Sequence, residues 1–365
     1  MKQYLPVIQK ALPTISEEDL NIPIKHKRID SLDIVVIRVT LEKFFGIEVS
    51  DTKWYRFQTL SKALEFFHAN KKEHFQSKIT DTNQVTNTES IEIRMPQMSN
   101  NALSENWLLR YLGDKHWSLL SDGFNKKSSE FQDENGNRLY ATFVRINYST
   151  SALKNFKENE KIIFDSKIEG YGGSTFISFI NGKSYKNIIN ATLLTTFSSK
   201  ENENINELIK IKIDKIPNKI SQLSKTPIQL NEYRLLRKNL LDEIPSNFGD
   251  FPNTDNILFT CEYEINIYYD INGVGLLYFA AYPIISDICC LKYFNDSKSF
   301  SFQTVYRDIF YFANCNPTDK VIFQLNFIDS NKNFIKTMTS LYRKSDKKIL
   351  AKILTIKEIN NENKL

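Results

Sequence analysis

The run GLLYFAAYPIISDICCLKYF, Gly275 to Phe294, is apolar along almost its whole length. It is long enough to cross a bilayer, but Pro283, Asp287 and Lys292 lie within it, and a spanning helix would bury that charge in lipid. The run therefore reads as a helix enclosed by protein on all sides. Outward from it, Ile257 to Tyr268 reads as a strand, Asp270-Ile271-Asn272-Gly273 as a turn, and three further strands follow the helix. The same order occurs earlier in the chain. Ile91 to Met95 alternates as a strand does, a polar loop carries Asn100 and Asn101, and a helix covers Ser104 to Leu120. Strands then follow at Leu139 to Tyr148, Lys161 to Glu169, Thr175 to Ile180 and Ala191 to Phe197. Periodicity alone makes this an α+β chain.

Upstream the pattern changes. From Tyr4 to about Phe75, apolar residues recur at helical spacing in three sets: Tyr4 to Leu12, Leu32 to Phe44 and Leu60 to Phe67. The polar stretch QSKITDTNQVTNTES, Gln76 to Ser90, reads as a flexible linker. A chain of 365 residues is long for one core. The expected units are residues 1–75, a linker at 76–90, and two strand-rich halves at 91–225 and 226–365.

Composition excludes several classes. The start, MKQYLPVIQKALPTISEEDL, lacks the layout of a secretory signal, so a cytoplasmic protein is expected. The four cysteines have no C-x-x-C spacing and fit reduced, buried thiols. Of four histidines, only His116 lies beyond residue 75, which excludes a multi-histidine zinc site in the large region. Lys and Arg exceed Asp and Glu for a net charge of +5, but they are scattered, which argues against nucleic acid.

Within DSLDIVVIRVTLEKFFGIEV, residues 30–49, Asp30 and Leu32 flank Ser31 at the start of a helix. This module resembles the acyl carrier family over nearly its whole length, Leu41-Glu42 and Phe44 to Val49 included. The resemblance implies an all-α four-helix carrier bundle with 4′-phosphopantetheine attached covalently to Ser31 by a phosphopantetheinyl transferase. A helix N-terminus suits the phosphodiester of such an arm. The match departs from the family at Val36, where most carriers have a glutamate, and in its twelve Lys and Arg against ten Asp and Glu over residues 1–75.

The segments Glu262 to Asn266 and Asp270 to Tyr282 resemble the second hotdog of the bifunctional acyltransferase/decarboxylases of polyketide assembly, the leinamycin-pathway type. The implied fold is a double hotdog, two curved antiparallel sheets each wrapping a central helix. The implied activity takes a malonyl- or methylmalonyl-type group from acyl-CoA, decarboxylates it and places the short acyl group on the Ser31 arm for a downstream polyketide or fatty-acid-type synthase. The same resemblance points to Tyr140, in Arg138-Leu139-Tyr140-Ala141-Thr142-Phe143, as acyl acceptor. A free tyrosine hydroxyl is a weak nucleophile and needs donors or a nearby charge. Asn272, Gly273 and Gly275 are candidates to hold a thioester carbonyl or the enolate formed on decarboxylation, and also read as a tight turn. In the first half Asn101, Ser104 and Asn106 occupy the matching place, Ser104 as a helix cap.

His116 lacks the context of a dehydratase histidine and reads as structural. A hotdog thioesterase stays open, with Asp287 as the carboxylate that would activate water. So does a module that only binds and gates the carrier.

Overall fold

In the computed structural model, residues 2–10, 12–24, 29, 31–54, 56–70, 85–200, 208–211, 213, 216–294 and 302–359 are described. Among the described residues the N-terminal region has α1 (Leu5–Gln9), α2 (Ser31–Phe45), α3 (Asp51–Trp54) and α4 (Leu60–Ala69), with short 3-10 turns at Lys2–Tyr4 and Glu18–Leu20. They enclose a core that includes Ile8, Leu12, Ile37, Leu41, Phe45, Trp54, Leu64 and Phe67. Thr59 caps α4 by accepting from the Lys62 amide. Inside the module the buried Arg38 and Glu42 pair at 3.0 Å, and Glu42 also accepts the Val49 amide, which ties α2 to the segment after it.

Beyond Val85 the chain builds one twelve-stranded sheet. Its members are β1 (Thr86–Glu92), β2 (Tyr140–Thr150), β3 (Lys161–Tyr171), β4 (Thr175–Lys183), β5 (Ile188–Lys200), β6 (Leu208–Lys210), β7 (Ser221–Gln222), β8 (Phe259–Glu264), β9 (Phe302–Tyr311), β10 (Lys320–Ser330), β11 (Phe334–Arg343) and β12 (Ile349–Ile359). The order is β1-β3-β4-β5-β2-β9-β12-β11-β10-β8, with β6 on β5 and β7 on β3. Read inward from either edge, each half repeats one pattern in the expected order, although the second helix is followed by four strands, β9 to β12, and not by three. An edge strand is followed by a helix, then by the strand at the seam, then by three strands that fill the space between. The helices are α5 (Glu105–Phe124) and α7 (Ala281–Phe294), and both pack into one shared core with the sheet.

The halves join by backbone hydrogen bonding between β2 and β9, Ser149 opposite Tyr306 through Arg145 opposite Phe310. On the outer face of this seam Arg145 pairs with Asp308 at 2.7 Å and with Glu232 at 2.6 Å. Glu232 belongs to α6 (Ile228–Arg237), which covers that face with Leu230, Tyr233 and Leu236.

Two boundaries differ from expectation. Thr86 to Ser90, placed in the linker, lie in β1, where their backbone pairs with Ser166 and Lys167 and their neighbours on β3. Residues 71–84 lie outside the described set. The apolar run at 275–294 is helical only from Ala281. Gly275 to Ala280 form a loop held by tertiary contacts, with the Leu277 amide donating to the Cys315 carbonyl and the Tyr278 amide to Asp270. Tyr278 accordingly sits before the helix and not on it.

Candidate active site

One cavity of about 410 Å³ lies between α5, the start of β2 and the loop before α7. Of the four residues expected to be catalytic, Tyr140, Asn272 and Gly273 line it. Gly275 does not line it. It holds the loop's shape at a φ of +77°, a conformation costly for residues with a Cβ, and donates its amide to the Asn272 carbonyl.

Asn272 organises the loop through Oδ1, which accepts the amides of Val274 and Leu276 at 3.0 and 3.1 Å. Its Nδ2 donors and the Gly273 amide have no acceptor among the described residues, and both residues face the cavity. A pair of open donors on a rigid turn is what a developing oxyanion requires. They are not at a helix N-terminus, because α7 begins only at Ala281. The backbone of the turn, not a helix dipole, presents them.

Tyr140 is the first residue of β2 and half-buried, with the Arg138 guanidinium 5.2 Å from its ring centre. Arg110, on α5, lies 5.4 Å from the ring of Tyr278, whose hydroxyl pKa is raised by burial. Both arginines line the cavity, and neither has a carboxylate partner among the described residues. Asp114, one turn beyond Arg110, is the single carboxylate in the lining. Arg110, Asp114 and Arg138 carry no local motif that marks them as site residues. A helical spacing of four between Arg110 and Asp114 was the available signal.

The inner wall is aromatic. Phe279 packs tilted against Phe143, ring centres 4.4 Å apart, and presses on α5 at Gly113, where a Cβ would stand 2.3 Å from the Phe279 Cζ. Only glycine admits that approach.

His116 is fully buried and bonds Ser178 Oγ and Thr195 Oγ1, each at 2.7 Å. Burial lowers its pKa to about 3, so it is a neutral tether between α5 and the sheet, in keeping with its structural reading. Ser104 caps α5 by accepting the Trp107 amide. Asn106 accepts from Arg110 Nε at 3.1 Å. Asn100 and Asn101 take positive φ in the tight turn between the short strands Met98–Ser99 and Ala102–Leu103.

Asp287 lies elsewhere, in a second cavity of about 210 Å³ that also holds Asn100, Cys290, Phe302 and Lys357. Arg307, wholly buried, donates to Asp287 at 2.8 and 3.1 Å and to Glu105 at 2.8 and 2.9 Å. Lys357 adds a contact of 2.7 Å to Asp287. Although burial opposes the charge, Arg307 and Lys357 outweigh it and hold the carboxyl pKa at about 2. Such a carboxylate is a weak base, so Asp287 is poorly suited to activate water. The cysteines are unpaired thiols, and burial raises the pKa of Cys289, Cys290 and Cys315. Among the described residues no cluster suits a metal ion, and no helix is long and apolar enough to cross a membrane.

No family model matches the chain, and no curated protein matches its sequence. Solved structures do match in fold. One, described as an oleoyl thioesterase from Lactobacillus plantarum, superposes with a TM-score of 0.56 at 12% identity over 77% of this chain and 98% of its own. Another, the 12:0-ACP thioesterase from Umbellularia californica, superposes with a TM-score of 0.51 at 10% identity over 75% of this chain and 94% of its own. The large region is therefore a mixed α+β hotdog fold with an extensive antiparallel sheet.

Proposed function

We propose that the chain is a self-contained acyl-thioester enzyme: a double hotdog whose Tyr140–Asn272 cavity acts on an acyl group borne by 4′-phosphopantetheine on Ser31 of its own carrier module. The observation that carries this is the pair of open donors at Asn272 and Gly273, on residues that line a cavity two strands away from the strand that α2 packs against. Tyr140 opens β2 opposite Ser198 of β5, Ser198 is opposite Lys210 of β6, and β6 lies against α2. Two strand spacings put Lys210 about 10 Å from Tyr140 along the sheet.

Ser31 is the first residue of α2, and its side chain, like Asp30, lies outside the described residues. The position fits the group, since the first amides of a helix lack intrahelical partners and favour a phosphodiester. When bound, the arm supplies a thiol that holds the acyl group as a thioester. Asn272 Nδ2 and the Gly273 amide donate to the thioester oxygen as it gains charge.

For hydrolysis, Asp114 takes a proton from the attacking water, the carbon–sulfur bond breaks, and the thiolate is reprotonated. The names of the two fold relatives favour this course. A second reading, acyl transfer with decarboxylation, draws on Arg110 and Arg138. Two guanidinium groups on the cavity wall suit an acidic, malonyl-type acyl group taken from CoA. Loss of carbon dioxide leaves an enolate on the same two donors that is protonated at carbon. The Tyr140 oxygen then displaces CoA, its proton passing to the departing sulfur, and the tyrosine, displaced in turn by the arm thiol, regains its proton before the acyl group goes to a downstream synthase.

Intact-protein mass spectrometry of the phosphopantetheinylated chain separates these. An acyl-loaded arm that returns to the free thiol, with Asp114→Asn blocking the loss, marks hydrolysis. An acetyl or propionyl gain from malonyl- or methylmalonyl-CoA, abolished in Tyr140→Phe, marks loading. An arm whose acyl mass never changes leaves only binding and overturns both.

A further inference from the structure

The first turns of α2 do not face solvent. Leu32 and Val36 are buried in a cluster built by the outer face of the sheet and α6, with Tyr171, Leu230 and Tyr233 among its members. Asp33, fully buried, meets Arg234 at 3.1 Å and Lys238 at 3.1 Å, both on α6 or its end. Lys238 also donates to Thr14 of the N-terminal module. The turn between β3 and β4 completes the seat: Gly172, at a φ of +63°, leaves room such that a Cβ would only just reach Val36 at 3.4 Å.

Neither Leu32 nor Val36 belongs to the module's own core, so leaving this seat costs the module no part of that core. Val36 stands where related carriers place a glutamate, and here it is the residue that fits the apolar seat.

We infer that this seat is a releasable docking site in cis, and that the docked helix is withheld from every protein that would read α2 in trans. The inference rests on Ser31 being the modified residue. Modification by a separate transferase, or hand-off to a downstream enzyme, requires release. Apolar contacts and one desolvated charge on α2 set the equilibrium, and that charge, Asp33, is paired with two cations at the end of α6, Arg234 and Lys238.

The test uses the full chain, a phosphopantetheinyl transferase and a fluorescent CoA analogue. Arg234→Gln with Lys238→Gln, and separately Val36→Glu, should raise the initial labelling rate about tenfold, the factor given by about 1.4 kcal/mol of lost contact. Hydrogen exchange at the amides of residues 33–36 should quicken in parallel while that of β4 stays slow. Labelling at the wild-type rate in both variants overturns the withholding. Unchanged exchange overturns the docking equilibrium. No label on any form refutes the Ser31 reading and the withholding with it, and exchange alone then judges the seat.

Discussion

The two halves of the large region share one topology and furnish their cavities in opposite ways. In the first, a hairpin loop from the second half offers open donors from Asn272 and Gly273 to a space lined by Tyr140, Asp114 and two arginines. In its counterpart the matching loop offers Asn100, the strand that corresponds to β2 opens on Phe302, and the polar groups neutralise one another through Arg307, Lys357, Asp287 and Glu105. The helices differ likewise. α5 is held to the sheet by a histidine, α7 by Ser286 on Thr339 at 2.8 Å. A fold supplies the enclosure, and the loops decide whether charge inside it is spent on structure or left for a ligand.

That contrast breaks most visibly at Arg307. Arg307→Met leaves the half-buried Glu105 and Asp287 without their shared, fully buried cation, Asp287 keeping only Lys357, and unfolding free energy should fall by about 3–5 kcal/mol in a denaturant titration. Asn272→Asp is the converse case. The oxygen that orders the loop remains and the Nδ2 donors vanish, so kcat should drop by about 10²–10³ with little change in Tm.

His116 sharpens the comparison by pH. Its folded pKa of about 3 is below the ordinary histidine value, so the unfolded chain binds the extra proton. The contribution is complete above about pH 6.5 and is lost as pH falls toward 3, by up to about 1.4 kcal/mol per unit. His116→Gln should remove that slope in pH-dependent denaturation, and Ser286→Ala in the other half should not. The smallest effect belongs to Asp287→Asn, which should leave turnover in the first cavity within about twofold, since the two sites are separate.

The order of strands and helices was legible because an all-apolar helix has to be wrapped and a sheet alternates. The loop at Gly275 to Ala280 was not, since its apolar side chains satisfy helix and buried loop alike, and hydrogen bonds to Asp270 and Cys315 decide between them. Tyr140, Asn272 and Gly273 could be named from local text. Arg110, Asp114 and Arg138 could not, because only packing brings α5 and the end of β2 to the same cavity. The group around Arg307 joins residues some two hundred positions apart, such as Glu105 and Arg307, which no local pattern records.

The seam between β2 and β9 also governs how the protein is made. Arg145 and Asp308, paired across it, are 163 positions apart. At a synthesis rate of about 5–20 residues per second, β2 leaves the ribosome roughly 10 to 30 s before its partner exists. For that interval the first half carries an open sheet edge, a template for pairing with other chains. Slow closure through such distant contacts makes the nascent first half the aggregation-prone stage of this protein's life.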